Sequence, residues 1–132
     1  MAVTPDSDAA IATVQAFCDA WPAGDLDAIL DFFAEGATYH NIPMEAVTGK
    51  DAIRATIAGF TTGNTVRFDV LHIAAAGRTV LTERVDVFDL PDGRSISLPV
   101  MGTFELDDAQ KITAWRDYFD LQQFMSQLTG GG

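Results

Sequence analysis

The sequence has little of what most enzymes use for chemistry: one cysteine, two histidines and eight lysines and arginines in 132 residues. A lone Cys18 excludes an internal disulfide and a cysteine metal cage. His40 and His72 stand far apart, and there is no His-Glu-x-x-His pair and no Gly-x-Ser-x-Gly elbow, so neither a zinc centre nor a serine triad is expected. No Gly-x-Gly-x-x-Gly or Walker A loop suggests a nucleotide. Eight basic against nineteen acidic side chains give a net charge of −11, which denies nucleic acid and anionic lipid the positive footprint they need. No stretch approaches the ~18 apolar residues of a membrane span. The start, Met1-Ala2-Val3-Thr4-Pro5-Asp6, has neither the basic nor the apolar region of a secretory signal. The expectation is a soluble cytoplasmic protein with no metal, no nucleic-acid partner and no membrane.

Bulk is well supplied. Apolar residues make up 48%, with nine Phe, two Trp and two Tyr, enough for one core in one domain spanning residues 1–132. A first helix is expected from about Thr4, with Pro5 at its first position and Ile11, Val14, Phe17, Cys18 and Trp21 on one face, up to Pro22-Ala23-Gly24. Asp25 can cap a second helix with Leu26, Ile29, Leu30 and Phe33 inward, closed by Gly36. Residues 37–42 read as a strand stopped by Pro43, with Tyr39 and Asn41 on one face. Thr48-Gly49-Lys50-Asp51 resembles a capping box for a third helix carrying Ile53, Ile57 and Phe60.

From there the period changes from 3.6 to 2, with strands expected at 65–73, 79–90, 94–106 and 111–119, a tight turn at Pro91-Asp92-Gly93 and another at residues 107–110. A short helix with Leu121, Phe124 and Leu128 follows, then a flexible Gly130–Gly132 tail. Helices first and a long sheet after them predict an α+β fold: a curved, mixed or antiparallel sheet forming a cone, closed by the N-terminal helices around an internal apolar pocket.

Two strands carry charge where apolar residues are expected. Arg84 and Asp86 share a face with Val80 and Phe88, and Asp117 lies between Trp115 and Phe119. A buried carboxylate is costly unless paired, and a guanidinium can bridge two of them. The inferred constellation is Asp86–Arg84–Asp117 in an aromatic pocket. Two carboxyls sharing one cation in a dry site do not ionise alike, so one can act as acid and the other as base. Tyr39 and Asn41 are candidates to hold a water. The plainer alternatives are an Arg-x-Asp pair on a solvated face, Asp117 at the edge of the core, surface histidines, a core Cys18, and packing roles for Met44 and Met101.

Three segments together, Tyr39-His40-Asn41-Ile42-Pro43-Met44, Leu81-Thr82-Glu83-Arg84-Val85-Asp86-Val87 and Ile112-Thr113-Ala114-Trp115-Arg116-Asp117-Tyr118-Phe119-Asp120, resemble the limonene-1,2-epoxide hydrolase family over most of the chain, to about Phe124. The resemblance implies the cone of the nuclear transport factor 2-like superfamily, a homodimer, and cofactor-free addition of water to an apolar epoxide to give a vicinal diol. It also implies Asp117 as general base, Tyr39 and Asn41 as holders of the water, Asp86 as general acid and Arg84 as bridge, with no covalent ester. Trp115, Phe119, Phe88, Leu98, Ile57 and Met44 are the expected pocket walls. A ketosteroid-isomerase-like or polyketide-cyclase-like enzyme on the same cone, and a non-catalytic binder of apolar ligands, are the competing readings.

Overall fold

A computed structural model describes residues 5–129, so the expectations for Thr4 and for the Gly130–Gly132 tail lie outside the described residues. Helix α1 (Pro5–Asp19) leads through a 3-10 turn (Trp21–Ala23) to the short α2 (Leu26–Leu30). Strand β1 (Phe33–Asn41), the two-residue β2 (Val47–Thr48) and α3 (Lys50–Thr61) follow. Four strands, β3 (Thr65–Ala76), β4 (Thr79–Asp89), β5 (Ser95–Leu106) and β6 (Ile112–Tyr118), precede α4 (Leu121–Leu128). The α+β expectation holds. The strands form one curled sheet in the order β2-β1-β6-β5-β4-β3, with β2 and β3 left as edges. Neighbours are antiparallel except β1 and β6, which are parallel.

The core lies between the concave face of the sheet and α1, which packs on β3 and β4. Phe17 of α1 meets Trp21, Phe32, Phe33, Phe104 and Trp115 edge-on, with centroid separations from 5.1 to 5.8 Å. Such edge-to-face contacts add to the free energy of burying the rings. The α-helix ends two residues before Trp21 and gives way to the 3-10 turn, where Pro22 has no N–H to continue the α-helical ladder and Gly24, at φ +69°, closes the turn. Asp25 caps α2 as expected, its carboxylate accepting the Ala28 N–H at 3.2 Å.

Three local expectations need correction. Phe33 does not belong to the second helix: it opens β1 opposite Ile112, whose N–H bonds to the Phe32 carbonyl at 2.8 Å, so sheet pairing takes the chain before another helical turn can form. Gly36 accordingly sits inside β1 rather than ending a helix. Thr48 is not a helix cap but part of β2, and Gly49, at φ +92°, precedes α3 with no side-chain cap. That φ suits glycine far better than any residue with a Cβ.

Register places the polar residues. Directly opposed residues on neighbouring strands share a face. Asn41 on β1 opposes Asp117 on β6, Asp117 opposes Gly102 on β5, and Gly102 opposes Thr82 on β4. The next row reads Tyr39, Trp115, Phe104 and Val80. Arg84 and Asp86 lie further along β4, opposite Val100 and Leu98. All of these rows look inward, where Val80, Thr82, Arg84, Asp86 and Phe88 are buried together. The outer face carries Leu81, Met101 and Tyr118, each about half exposed.

Candidate active site

The solvated reading of the Arg84–Asp86 pair fails on burial: Arg84 is 1%, Asp86 4% and Asp117 3% exposed. Arg84 stands between the two carboxylates and uses all five N–H groups of its fork. Its Nε donates to Asp86 Oδ1 at 2.9 Å and its Nη2 to Asp86 Oδ2 at 2.8 Å. Nη2 also donates to Asp117 Oδ2 at 2.8 Å, while Nη1 donates to Asp117 Oδ1 at 3.2 Å and to Thr82 Oγ1 at 3.1 Å. Five donors meet five acceptors, which is how a guanidinium can sit in an apolar interior without an unmade bond. Its flat face lies 4.6 Å from the centre of the Phe68 ring, a cation–π contact in a dry setting.

The two aspartates differ in what holds them. Asp117 accepts a third N–H, from Trp115 Nε1 at 2.7 Å, whereas Asp86 has the two bonds from Arg84. Burial raises the Asp86 carboxyl to about 6, against the pull of Arg84 in the opposite direction. Burial also works against the Arg84 charge, but the two carboxylates outweigh it and lift its pKa above the ordinary arginine value. Beside them the Tyr39 hydroxyl donates to Asn41 Oδ1 at 3.2 Å, and burial keeps that phenol protonated well beyond its usual range. Tyr39 is fixed from behind by stacking on Trp115, 4.2 Å between centroids at 11°.

These groups face a cavity of about 180 Å³. Asp86, Asp117, Tyr39 and Asn41 are the polar members of its lining. The rest is apolar, from Phe60, Phe68, Phe88, Leu98 and Val100 to Phe119, with Met44 and the α4 residues Leu121, Phe124 and Met125 completing it. Of the expected walls, Met44, Phe88, Leu98 and Phe119 line it. Trp115 and Ile57 do not: both are fully buried in the layer behind, Trp115 holding Asp117 and Tyr39, Ile57 packed in the core. Alternation shows which face a residue takes but not how deep it lies on that face, which explains the error.

Sequence reasoning missed Thr82 and Gly102 at the triad, and the contribution of α4 to the cavity. An isolated glycine within a long strand was the available signal for a close approach at Gly102. Cys18, His40 and His72 do not line the cavity. Burial pushes the Cys18 thiol up to about 12. His40 Nε2 lies 2.9 Å from the Met44 carbonyl, and exposed His72 pairs with Glu83 at 2.7 Å.

The sequence profile of the limonene-1,2-epoxide hydrolase catalytic domain matches residues 8–130. The chain belongs to this family. A relative from Mycobacterium tuberculosis, named epoxide hydrolase EphG, is 35% identical over 120 residues, 89% of this chain and 78% of that protein. The solved structure of an LEH-like epoxide hydrolase from M. tuberculosis superposes with a TM-score of 0.83 at 29% identity, covering 96% of this chain and 94% of the other. SalBIII, described as an epoxide hydrolase/cyclase-like enzyme with a role in pyran ring formation in the polyether salinomycin, shares the fold at a TM-score of 0.76 and 21% identity, over 86% and 92% of the two chains. The protein is thus an epoxide hydrolase at the level of its family.

The bridge has a measurable consequence for stability. Arg84→Met leaves two buried carboxylates facing each other, which should cost about 3–5 kcal/mol at pH 8 in urea unfolding. Without the cation the folded state binds protons more readily than the unfolded chain, so stability returns as pH falls, and the deficit should shrink at pH 5. An equal loss at both pH values contradicts the bridging account.

Proposed function

We propose that the protein adds water to a small apolar epoxide, terpene-like or cyclic, in one step and without a cofactor, releasing a vicinal diol. The observation that carries this reading is one guanidinium gripping two buried carboxylates in unlike environments, at the polar end of an otherwise apolar cavity. The names of the hydrolase relatives support the same reaction.

Asp117 is the general base. A water donates one hydrogen to Asp117 and the other to the Tyr39 oxygen, whose own proton points to Asn41 Oδ1. The Asn41 amide N–H donates to that water, leaving one lone pair free for the substrate. As this lone pair attacks an epoxide carbon, the C–O bond breaks and Asp86 delivers its proton to the leaving oxygen. Asp86 suits the acid role because burial keeps its proton to about pH 6. General acid and general base each contribute about 10²–10⁴ in rate, and holding the water in line adds to this. Ring strain supplies the remaining drive. The apolar walls recognise the hydrocarbon part and exclude bulk water.

The proton count of the pair does not change: Asp86 loses one while Asp117 gains one. Arg84 therefore faces one charged and one neutral carboxyl group from the start of the reaction to its end. This matters in a dry site, where each unbalanced charge costs several kcal/mol.

We extend the reading to a homodimer through the outer face of the sheet, where Leu71, Met101 and Tyr118 lie about half exposed beside Val85 and Pro99. Sedimentation equilibrium at micromolar concentration should return twice the mass of the chain, with Met101→Asp shifting it to one; a monomeric parent contradicts this.

For the catalytic reading, Asp117→Asn should lower kcat on cyclohexene oxide by about 10²–10⁴ while the protein stays folded. In the parent enzyme kcat/KM should fall as pH rises through about 6, because Asp86 then loses the proton it must donate. A parental rate in Asp117→Asn removes the base assignment, and a profile flat to pH 8 removes the acid assignment.

A further inference from the structure

We propose that Gly102 is a positioning residue for the reaction: the space its missing Cβ leaves is where the Arg84 guanidinium crosses from β4 to grip Asp117. This rests on the hydrolase reading for its effect on rate, though not for the geometry.

Most described glycines have another reason to be glycine. Gly24, Gly49, Gly63, Gly77 and Gly93 occupy positive φ, where a Cβ is disfavoured. Gly36 and Gly59 have ordinary φ and open space around the position a Cβ would take. Gly102 differs from both groups. Its backbone is ordinary strand, in the middle of β5 between β4 and β6, so conformation alone permits any residue. A glycine in a strand interior weakens it by its entropy and its missing side chain. A Cβ there would stand 2.6 Å from Asp117 Oδ1 and 3.0 Å from Thr82 Oγ1, and closer still to Arg84 Nη1. Contacts below 3.0 Å force something to move, and here the movable parts are the bridge itself.

The register explains the crowding. Gly102 lies opposite Thr82 on one side and Asp117 on the other, and all three face inward. Arg84 starts two residues along β4 and returns over this row to reach Asp117. The Gly102 carbonyl also accepts the Thr82 hydroxyl at 3.3 Å, turning the lone pairs of Oγ1 toward Arg84 Nη1. Gly102 thus supplies both the floor over which the guanidinium lies and the anchor for its fifth acceptor. Any larger residue must push Arg84 off Asp117, leaving the base one or two donors short and the attacking water out of line.

The test uses Gly102→Ala, with Gly36→Ala as a sheet glycine in open space. On cyclohexene oxide, Gly102→Ala should lose at least about 10²-fold in kcat with KM within about threefold, since the apolar walls are untouched. Gly36→Ala should stay within about twofold of the parent. A parental kcat in Gly102→Ala, or a loss carried by KM alone, overturns the proposal.

A second arm needs no substrate. Melting temperatures are compared for Gly102→Ala in the parent and in an Asp117→Ala background, where Arg84 is free to withdraw. The drop should be less than half as large in the second background. If Gly102→Ala alone fails to fold, folding of the double variant supports the proposal; failure of both, or equal drops, overturns it. A parent inert toward epoxides would sink the hydrolase reading, while the melting arm would still decide the role of Gly102.

Discussion

Everything in this molecule that bears on chemistry depends on the fork of Arg84. Two carboxylates cannot share an apolar hollow unless something with matching geometry holds both, and a guanidinium is the side chain able to give a two-point grip to each. The grip on Asp86 runs through Nε and Nη2, that on Asp117 through Nη1 and Nη2, and the last hydrogen goes to Thr82. Removing any one partner leaves another buried and unsatisfied. The fold is the means of delivering these groups to one point: a curled sheet whose register aligns β4, β5, β6 and β1, with α1 covering its concave side.

The surroundings then make two chemically identical side chains unequal. Asp117 receives the Trp115 N–H as well as Arg84, and faces Tyr39 and Asn41. Asp86 opposes Leu98 on β5, and burial there makes its proton hard to remove. In the mechanism we propose, the division of labour between acid and base follows from this difference of environment. In that mechanism the proton lost by one is matched by the proton gained by the other and the site stays electrically balanced, which suits a cavity with few polar groups to absorb a change of charge.

Much of this was legible in the sequence because strand alternation is a local pattern. Period-2 alternation placed Val80, Thr82, Arg84, Asp86 and Phe88 on one face, and Asp117 between aromatics on another strand, leaving Arg84 as the natural counter-ion. What was not legible is depth and close approach. Trp115 and Ile57 were expected at the cavity wall, yet they stand behind it, because alternation cannot rank residues along the inward normal. The local pattern puts Phe33 in a helix, since the pairing that makes it a strand residue comes from Ile112, 79 positions later. Nothing near Gly102 in sequence marks the guanidinium beside it, because that group arrives from β4. The error at Thr48 has the same origin: a local cap signal yielded to pairing with β1.

In the proposed mechanism one proton is held unequally between two acids joined by one cation. Neutron diffraction on deuterium-exchanged crystals near pH 5, below the point at which Asp86 gives up its proton, tests this most directly. A deuteron is expected on Asp86 and none on Asp117, with all five deuterons of the Arg84 fork directed at Asp86, Asp117 and Thr82. A deuteron on Asp117 instead, or two bare carboxylates, would contradict that mechanism.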